Sequence, residues 1–358
     1  MSHNRNVQGS EAEGWAARTV RARFPIWNWV RIGLAIGVAV LLIWLPPTDQ
    51  VRALRPAHHA PGISPSPIIR LAFAPDAQTI ATVDDHERIE LRRLDGSGPT
   101  IPIDGVDHVK AIAFSPDGRY LAVGRRETDV VLLSLHPSIS ARKLNIDVRE
   151  TSDLSFSPDG SLLAVSSHAS PRIVIWEIRT RRLRTLLAGH HTPAHLVRFT
   201  PDGQSLLSMA INDRRLLNWD LASSRPRHLM ENLASRPNCL AYAPNGRRLA
   251  TSCFPRSVQI WDLATGREVV RIAGLRFPAR SLAFSPDGRL LAAASGDGSA
   301  GLWDASTGQP IRQLETGLDV LNAIAFSPDG LRIAISGNDG ALRLWDVATL
   351  FNPSARSD

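Results

Sequence analysis

Beyond residue 65 the chain alternates apolar and polar positions in short runs cut by turn-forming clusters. Residues 279–304 show the pattern: ARSLAFS, then PDG, then RLLAAAS, then SAGLWD after a Gly-Asp-Gly turn. A period of two puts Leu282 and Phe284 on one strand face, and Leu302 with Asp304 on another. The punctuation recurs. FSPDG stands at 114–118, 156–160, 284–288 and 326–330, with near-copies FAPDA at 73–77, FTPDG at 199–203 and YAPNG at 242–246. The motif prolines are spaced 41, 42, 43, 43, 42 and 42 residues apart. Proline presets a turn, Asp or Asn bonds back to its own chain, and Gly supplies positive φ. Each copy therefore predicts a strand ending in a large core side chain and a hairpin into the next strand. One small sheet of such strands cannot bury both its faces, so the copies must stack.

A second mark follows the last five hairpins: Trp176, Trp219, Trp261, Trp303 and Trp345, trailed by Glu177, Asp220, Asp262, Asp304 and Asp346. Arg92 and Leu133 take the tryptophan's place in the first two repeats. A period of about 42 with Trp-Asp endings resembles the WD40 repeat family. The resemblance covers roughly residues 51–350 and implies an all-β, seven-bladed β-propeller of four-stranded antiparallel blades. TolB-like and peptidase-type propellers share Ser-Pro-Asp-Gly hairpins, but the Trp-Asp endings favour WD40. The family's polar staple joins a loop His, a strand Ser or Thr, a turn Asp and the Trp. Repeat four matches it fully, with His190, Ser208, Asp213 and Trp219. Repeats six and seven keep Asp297 with Trp303 and Asp339 with Trp345. Fourth strands are expected at RLRTLL (182–187), EVVRIA (268–273) and PIRQLE (310–315). The last repeat lacks one, and VRALRPA at 51–57 resembles the missing strand, so it is expected to close the ring as the outer strand of blade seven. His58 and His59, just beyond, read as a loop.

The N-terminal region is of another kind. Ile32 to Leu45 carries no polar side chain, and back to Ile26 only Asn28 and Arg31 are polar. Twenty helical residues match a hydrocarbon core of roughly 30 Å. Trp27, Trp29 and Trp44 lie near the two ends, where such rings prefer the interface. The expected organisation is a cytoplasmic tail at 1–25, a transmembrane signal anchor at 26–46, the propeller at 47–350 and a tail at 351–358. Arg18, Arg21 and Arg23 precede the segment closely, which predicts a cytoplasmic N-terminus and a translocated propeller. The alternative is a cleaved signal peptide and a secreted protein.

Composition adds little to this. The net charge is +7, nearly all of it from Arg, since Lys110 and Lys143 are the only lysines. No basic run reads as a nucleic-acid arm, so no nucleic-acid partner is expected. No nucleophile elbow, HExxH, CxxC or phosphate-cradling glycine loop occurs, and no cofactor is expected. HHTPAH at 190–195 is the nearest approach to a metal site, but His190 already has the staple to serve. Cys239 and Cys253 fall on two arms of one hairpin, as a cross-strand disulfide or as buried free thiols.

The resulting expectation is a non-catalytic scaffold that binds a protein or peptide on its top loops. The alternative is a propeller enzyme or solute sensor using the central channel. The loops ASPR (169–172), NDRR (212–215), ASRPN (234–238), FPR (254–256) and RFPAR (276–280) carry Arg172, Arg214, Arg215, Arg236, Arg256, Arg276 and Arg280. Guanidinium groups suit carboxylates, so these seven are the candidate partner-binding residues for an acidic segment. Top loops elsewhere carry Asp84, Asp85, Glu87, Asp297, Asp319 and Asp339, which predicts a bipolar face.

Overall fold

The computed structural model describes residues 66–95, 101–103, 105–127, 129–210, 212, 215–230, 237–253, 256–273 and 275–351, together with His58–His59. Among them the chain forms seven four-stranded antiparallel sheets. Blade one is Ile68–Phe73, Thr79–Asp84, Ile89–Arg93 and Ile101–Pro102; blade four is Leu196–Phe199, Ser205–Ala210, Arg215–Asp220 and Arg225–Met230. The first strand of each blade packs on the first strand of the next, and Leu321–Phe326 meets Ile68–Phe73 to close the ring. The expected all-β, seven-bladed propeller is what the chain adopts. Fourth strands run Arg182–Leu187, Arg267–Ile272 and Pro310–Leu314, within a residue of their expected places.

Blade packing explains the composition of each strand. Seven clusters of buried apolar side chains fill the seven junctions between neighbouring blades. Second strands are covered on both faces, so Ser205–Ala210 is buried throughout and reads SLLSMA without alternation. Outer strands face solvent on one side and alternate, as in REVVRI at Arg267–Ile272. The motif's aromatic residue ends the first strand in a blade junction: Phe156, Phe199, Phe284 and Phe326 are all buried.

The Pro-Asp-Gly turns serve both within and between blades. Asp159 Oδ1 accepts the Ser161 N–H at 3.0 Å and the Ser157 hydroxyl at 2.5 Å, and Ser157 Oγ accepts the Leu162 N–H at 2.9 Å. Gly160 sits at φ 71°. It also lies against the previous blade's turn, since a methyl there would meet Pro116 Cδ at 3.6 Å. The same relation links Gly203 to Pro158 and Gly330 to Pro286, both at 3.5 Å. Antiparallel order puts these turns and the third-to-fourth turns at one end of every blade, the bottom. Second-to-third turns and the links between blades lie at the top.

Blade seven takes its fourth strand from the other end of the chain. His58 and His59 pair antiparallel with Leu344 and Arg343. This corrects the loop expected for the two histidines; a loop there would leave the outer edge of Leu342–Asp346 unpaired. Residues 51–57, expected to form the closing strand, lie outside the described residues, as does 26–46. No described helix is long and apolar enough to cross a membrane. A side-chain bond from Asn322 Nδ2 to the Ile68 carbonyl, 3.1 Å, also spans the junction of blades seven and one.

Candidate interaction face and channel

The recurrent carboxylates belong to turns. Asp304, after Trp303, accepts hydrogen bonds from the Ser306 hydroxyl at 2.5 Å and from the N–H groups of Ser306 and Thr307 at 2.8 Å. Those bonds, with the Ser306 hydroxyl foremost, outweigh the cost of burial and hold its carboxyl down at about 2. Asp262 accepts from Thr265 in the same way.

The staple of blade four is assembled around one hydroxyl. Trp219 Nε1 donates to Ser208 Oγ at 2.7 Å, and His190 Nε2 shares a 2.6 Å hydrogen bond with the same oxygen. All three are buried, and the His190 and Trp219 rings meet edge to face. Asp213 lies outside the described residues. Blade five has a shorter form, Trp261 Nε1 donating to Thr251 Oγ1 at 2.8 Å. Ser208 and Thr251 each stand seven residues after the motif proline; Val165, Ala293 and Ile335 hold that place in blades three, six and seven. Without the hydroxyl, Trp176 Nε1 is buried with no partner among the described residues. Asp297 instead accepts from Ser299, and Asp339 pairs with Arg343 at 2.6 Å. In blade one Arg92 fills the tryptophan's place. It is buried and paired with Glu90 at 2.5 Å, leaving Nε and Nη1 without a described partner.

On the top face Arg172 and Arg256 stand exposed in second-to-third turns, and Arg276 in the link between blades five and six. Their side chains make no hydrogen bond or ion pair to a described residue. Arg214 and Arg236 lie outside the described residues. Arg215 is not a loop residue: it opens the third strand of blade four, half-buried. Arg280 is not one either. It lies within the first strand of blade six, Ala279–Phe284, where a bulge between Ala279 and Ser281 turns two successive residues toward the channel.

Half of the six acids expected on the bipolar face, Asp84, Glu87 and Asp339, meet cations within the protein. Glu87 receives Lys110 Nζ, Arg126 Nη2 at 2.6 Å and His108 Nδ1 at 3.2 Å. Burial opposes its charge, but those three bonds win and hold the carboxyl at about 2. Arg88 closes on Asp84 at 2.7 Å. Asp84, Asp85 and His86 bring ligand atoms within 4.8 Å of one another, but Arg88 holds Asp84, and His86 Nδ1 lies 2.9 Å from Asp85. Asp319 is exposed. The electrostatic consequence is a face whose arginines are more available than its acids.

Around the axis, the residue five before each motif proline comes from a different blade: Arg70, Ala111, Asp153, Leu196, Cys239, Ser281 and Ala323. With Arg198, Arg280 and Asn322 they line a cavity of about 240 Å³. Asp153 accepts from Arg198 Nη1 and from the Val197 N–H at 3.0 Å. Cys239 is buried, and its thiol donates to the Ala279 carbonyl at 3.4 Å. It stands opposite Ser252 rather than Cys253 in the ladder. Sequence reasoning missed this lining; its signal was the shared offset of five residues before each motif proline, which places Arg70 and Asp153 in it.

A model of the family described as WD domain, G-beta repeat matches residues 103–132, 228–262, 276–304 and 308–346. Each matched segment ends within the third strand of a blade, three of them on the Asp of the Trp-Asp pair. No curated protein matches the chain.

Proposed function

Because this chain is a WD40-repeat propeller, a fold that typically mediates protein interactions, we propose that it is a non-catalytic scaffold whose top face docks an acidic segment of a protein partner over blades three to six. The observation that carries this reading is the exposure of Arg172, Arg256 and Arg276 on one face, their side chains without a partner among the described residues. Three acids of that face, Asp84, Glu87 and Asp339, are held by neighbouring cations. Arg215, Arg214 and Arg236 belong to the same face by their places in the chain. Exposed guanidiniums gain from a carboxylate that they can grip in bidentate fashion, and that attraction weakens with salt. The partner is acidic protein or peptide, with no nucleic acid and no cofactor.

The same reading makes the protein membrane-bound. The apolar segment 26–46, with tryptophans near both ends and arginines before it, supports a single-pass anchor with a cytoplasmic N-terminus and a translocated propeller. A retained anchor resists alkaline extraction from membranes, whereas release of a shortened chain would show cleavage. For the docking face, affinity capture should lose its partner when Arg172, Arg256 and Arg276 are all changed to Ala, and salt should matter less. Capture equal to wild type in yield and salt dependence would overturn the docking face.

A further inference from the structure

The channel holds a charge imbalance that the docking face does not use. Three guanidiniums, Arg70, Arg198 and Arg280, line it with a single carboxylate, Asp153. That carboxylate is engaged by Arg198 and the Val197 N–H. Arg280 donates to Asn322 Oδ1 at 3.1 Å, and Asn322 in turn donates to the Ile68 carbonyl and to Asn338. Arg70 makes no hydrogen bond or ion pair to any described residue. The residue is exposed to the channel solvent that it lines. Burial lowers its pKa first and the field of Arg198 adds to that, with Asp153 opposing. The field extends to the top of blade three: His168 is pushed down by burial, helped by Arg70 and Lys110 and opposed by Glu150. Three guanidiniums against one engaged carboxylate leave this wall positive, and a bound anion would gain from it.

The remaining lining bounds the size of that anion. Ala111 and Ala323 flank the Arg70 strand on either side, and their small side chains leave the space of about 240 Å³ open. This is below the usual range for drug-sized ligands and leaves no room for a peptide segment. We propose that the channel is a binding site for a small free polyanion of the phosphate or carboxylate class, with Arg70 as its principal contact and Arg198 and Arg280 completing the positive wall. Planar guanidiniums match the paired oxygens of both groups.

The test is calorimetric titration of the full chain at fixed ionic strength in chloride, with pyrophosphate as the phosphate arm and citrate as the carboxylate arm. Saturable one-to-one binding of at least one is expected, and the stronger arm identifies the class. Arg70→Gln should weaken it about tenfold or more, the loss of a bidentate contact. Because the Arg70 side chain makes no hydrogen bond or ion pair to a described residue, the variant should melt close to wild type. Arg70→Lys keeps the charge on a folded chain but loses the fork, and should also bind more weakly. Arg256→Gln, on the docking face, should bind the anions like wild type, so failure of the docking reading leaves this result unchanged. Absence of saturable binding in both arms, or equal losses in Arg256→Gln and Arg70→Gln, would overturn the proposal, as would wild-type affinity in Arg70→Lys and Arg70→Gln together.

Discussion

Replacing Ser208 by Ala removes one oxygen and strands two buried groups. Trp219 Nε1 loses its acceptor at 2.7 Å and His190 Nε2 its partner at 2.6 Å, with both side chains buried. A buried polar group left unpaired costs about 1–3 kcal/mol, so the pair should cost about 2–6 kcal/mol. Thr251→Val removes the described acceptor of Trp261 Nε1, one described bond instead of two, and should cost about half as much. Blade three offers the reverse change. Val165 occupies the position that Ser208 holds in blade four, and it stands opposite Val174, two residues before Trp176. Trp176 Nε1 is already buried and unpaired. Val165→Thr should therefore supply the missing acceptor with little change of volume and stabilise by about 1 kcal/mol. Urea unfolding followed by tryptophan fluorescence reads all three. The reasoning fails if Ser208→Ala lies within about 0.5 kcal/mol of wild type, below any cost expected for two orphaned groups, or if Val165→Thr destabilises as much as Thr251→Val.

Other outcomes follow from the turns, the seam and the ion cluster. Gly160→Ala should lose about 1–2 kcal/mol in thermal or urea unfolding, the cost of a side chain in the left-handed region, because the methyl itself meets Pro116 at an ordinary 3.6 Å. A chain beginning at residue 61 lacks the His58–His59 pairing and should melt below one beginning at residue 48; equal melting temperatures would refute closure by the N-terminal segment. Glu87 has its folded pKa depressed to about 2 from 4.5, so its stabilisation is present above about pH 4.5 and is lost as pH falls toward 2. Glu87→Gln should flatten that part of the stability curve, and an unchanged acid limb would show that the cluster with Lys110 and Arg126 contributes nothing.

Local chemistry made most of the fold legible. The Pro-Asp-Gly turns are written in adjacent residues, so hairpins and most strand limits could be placed before any packing was known. The outer strand Arg182–Leu187 falls where its alternation put it. What escaped depends on groups about one repeat apart. Arg280 reads as a loop residue because it follows RFPA, yet its bond goes to Asn322, 42 positions on. The channel bulges that place such residues recur between Ile68 and Arg70, and between Leu321 and Ala323. Glu87 reads as half of an acidic patch, but Arg126, 39 positions away, neutralises it. The staple's uneven distribution was readable, since it needs only a hydroxyl seven places after the motif proline. The closing pair at His58–His59 was not, because two residues carry no strand pattern of their own.

The scaffold reading turns on which face meets the partner, and photo-crosslinking measures that most directly. A photoreactive residue is placed in the full chain in cells, either at Arg256 in a top turn or at Arg289 beside a bottom Pro-Asp-Gly turn. The account predicts a crosslinked partner at position 256 that fades when Arg172 and Arg276 are changed to Ala, and little or none at 289. A partner captured from 289 alone, or captured equally from both positions regardless of the arginines, would contradict it.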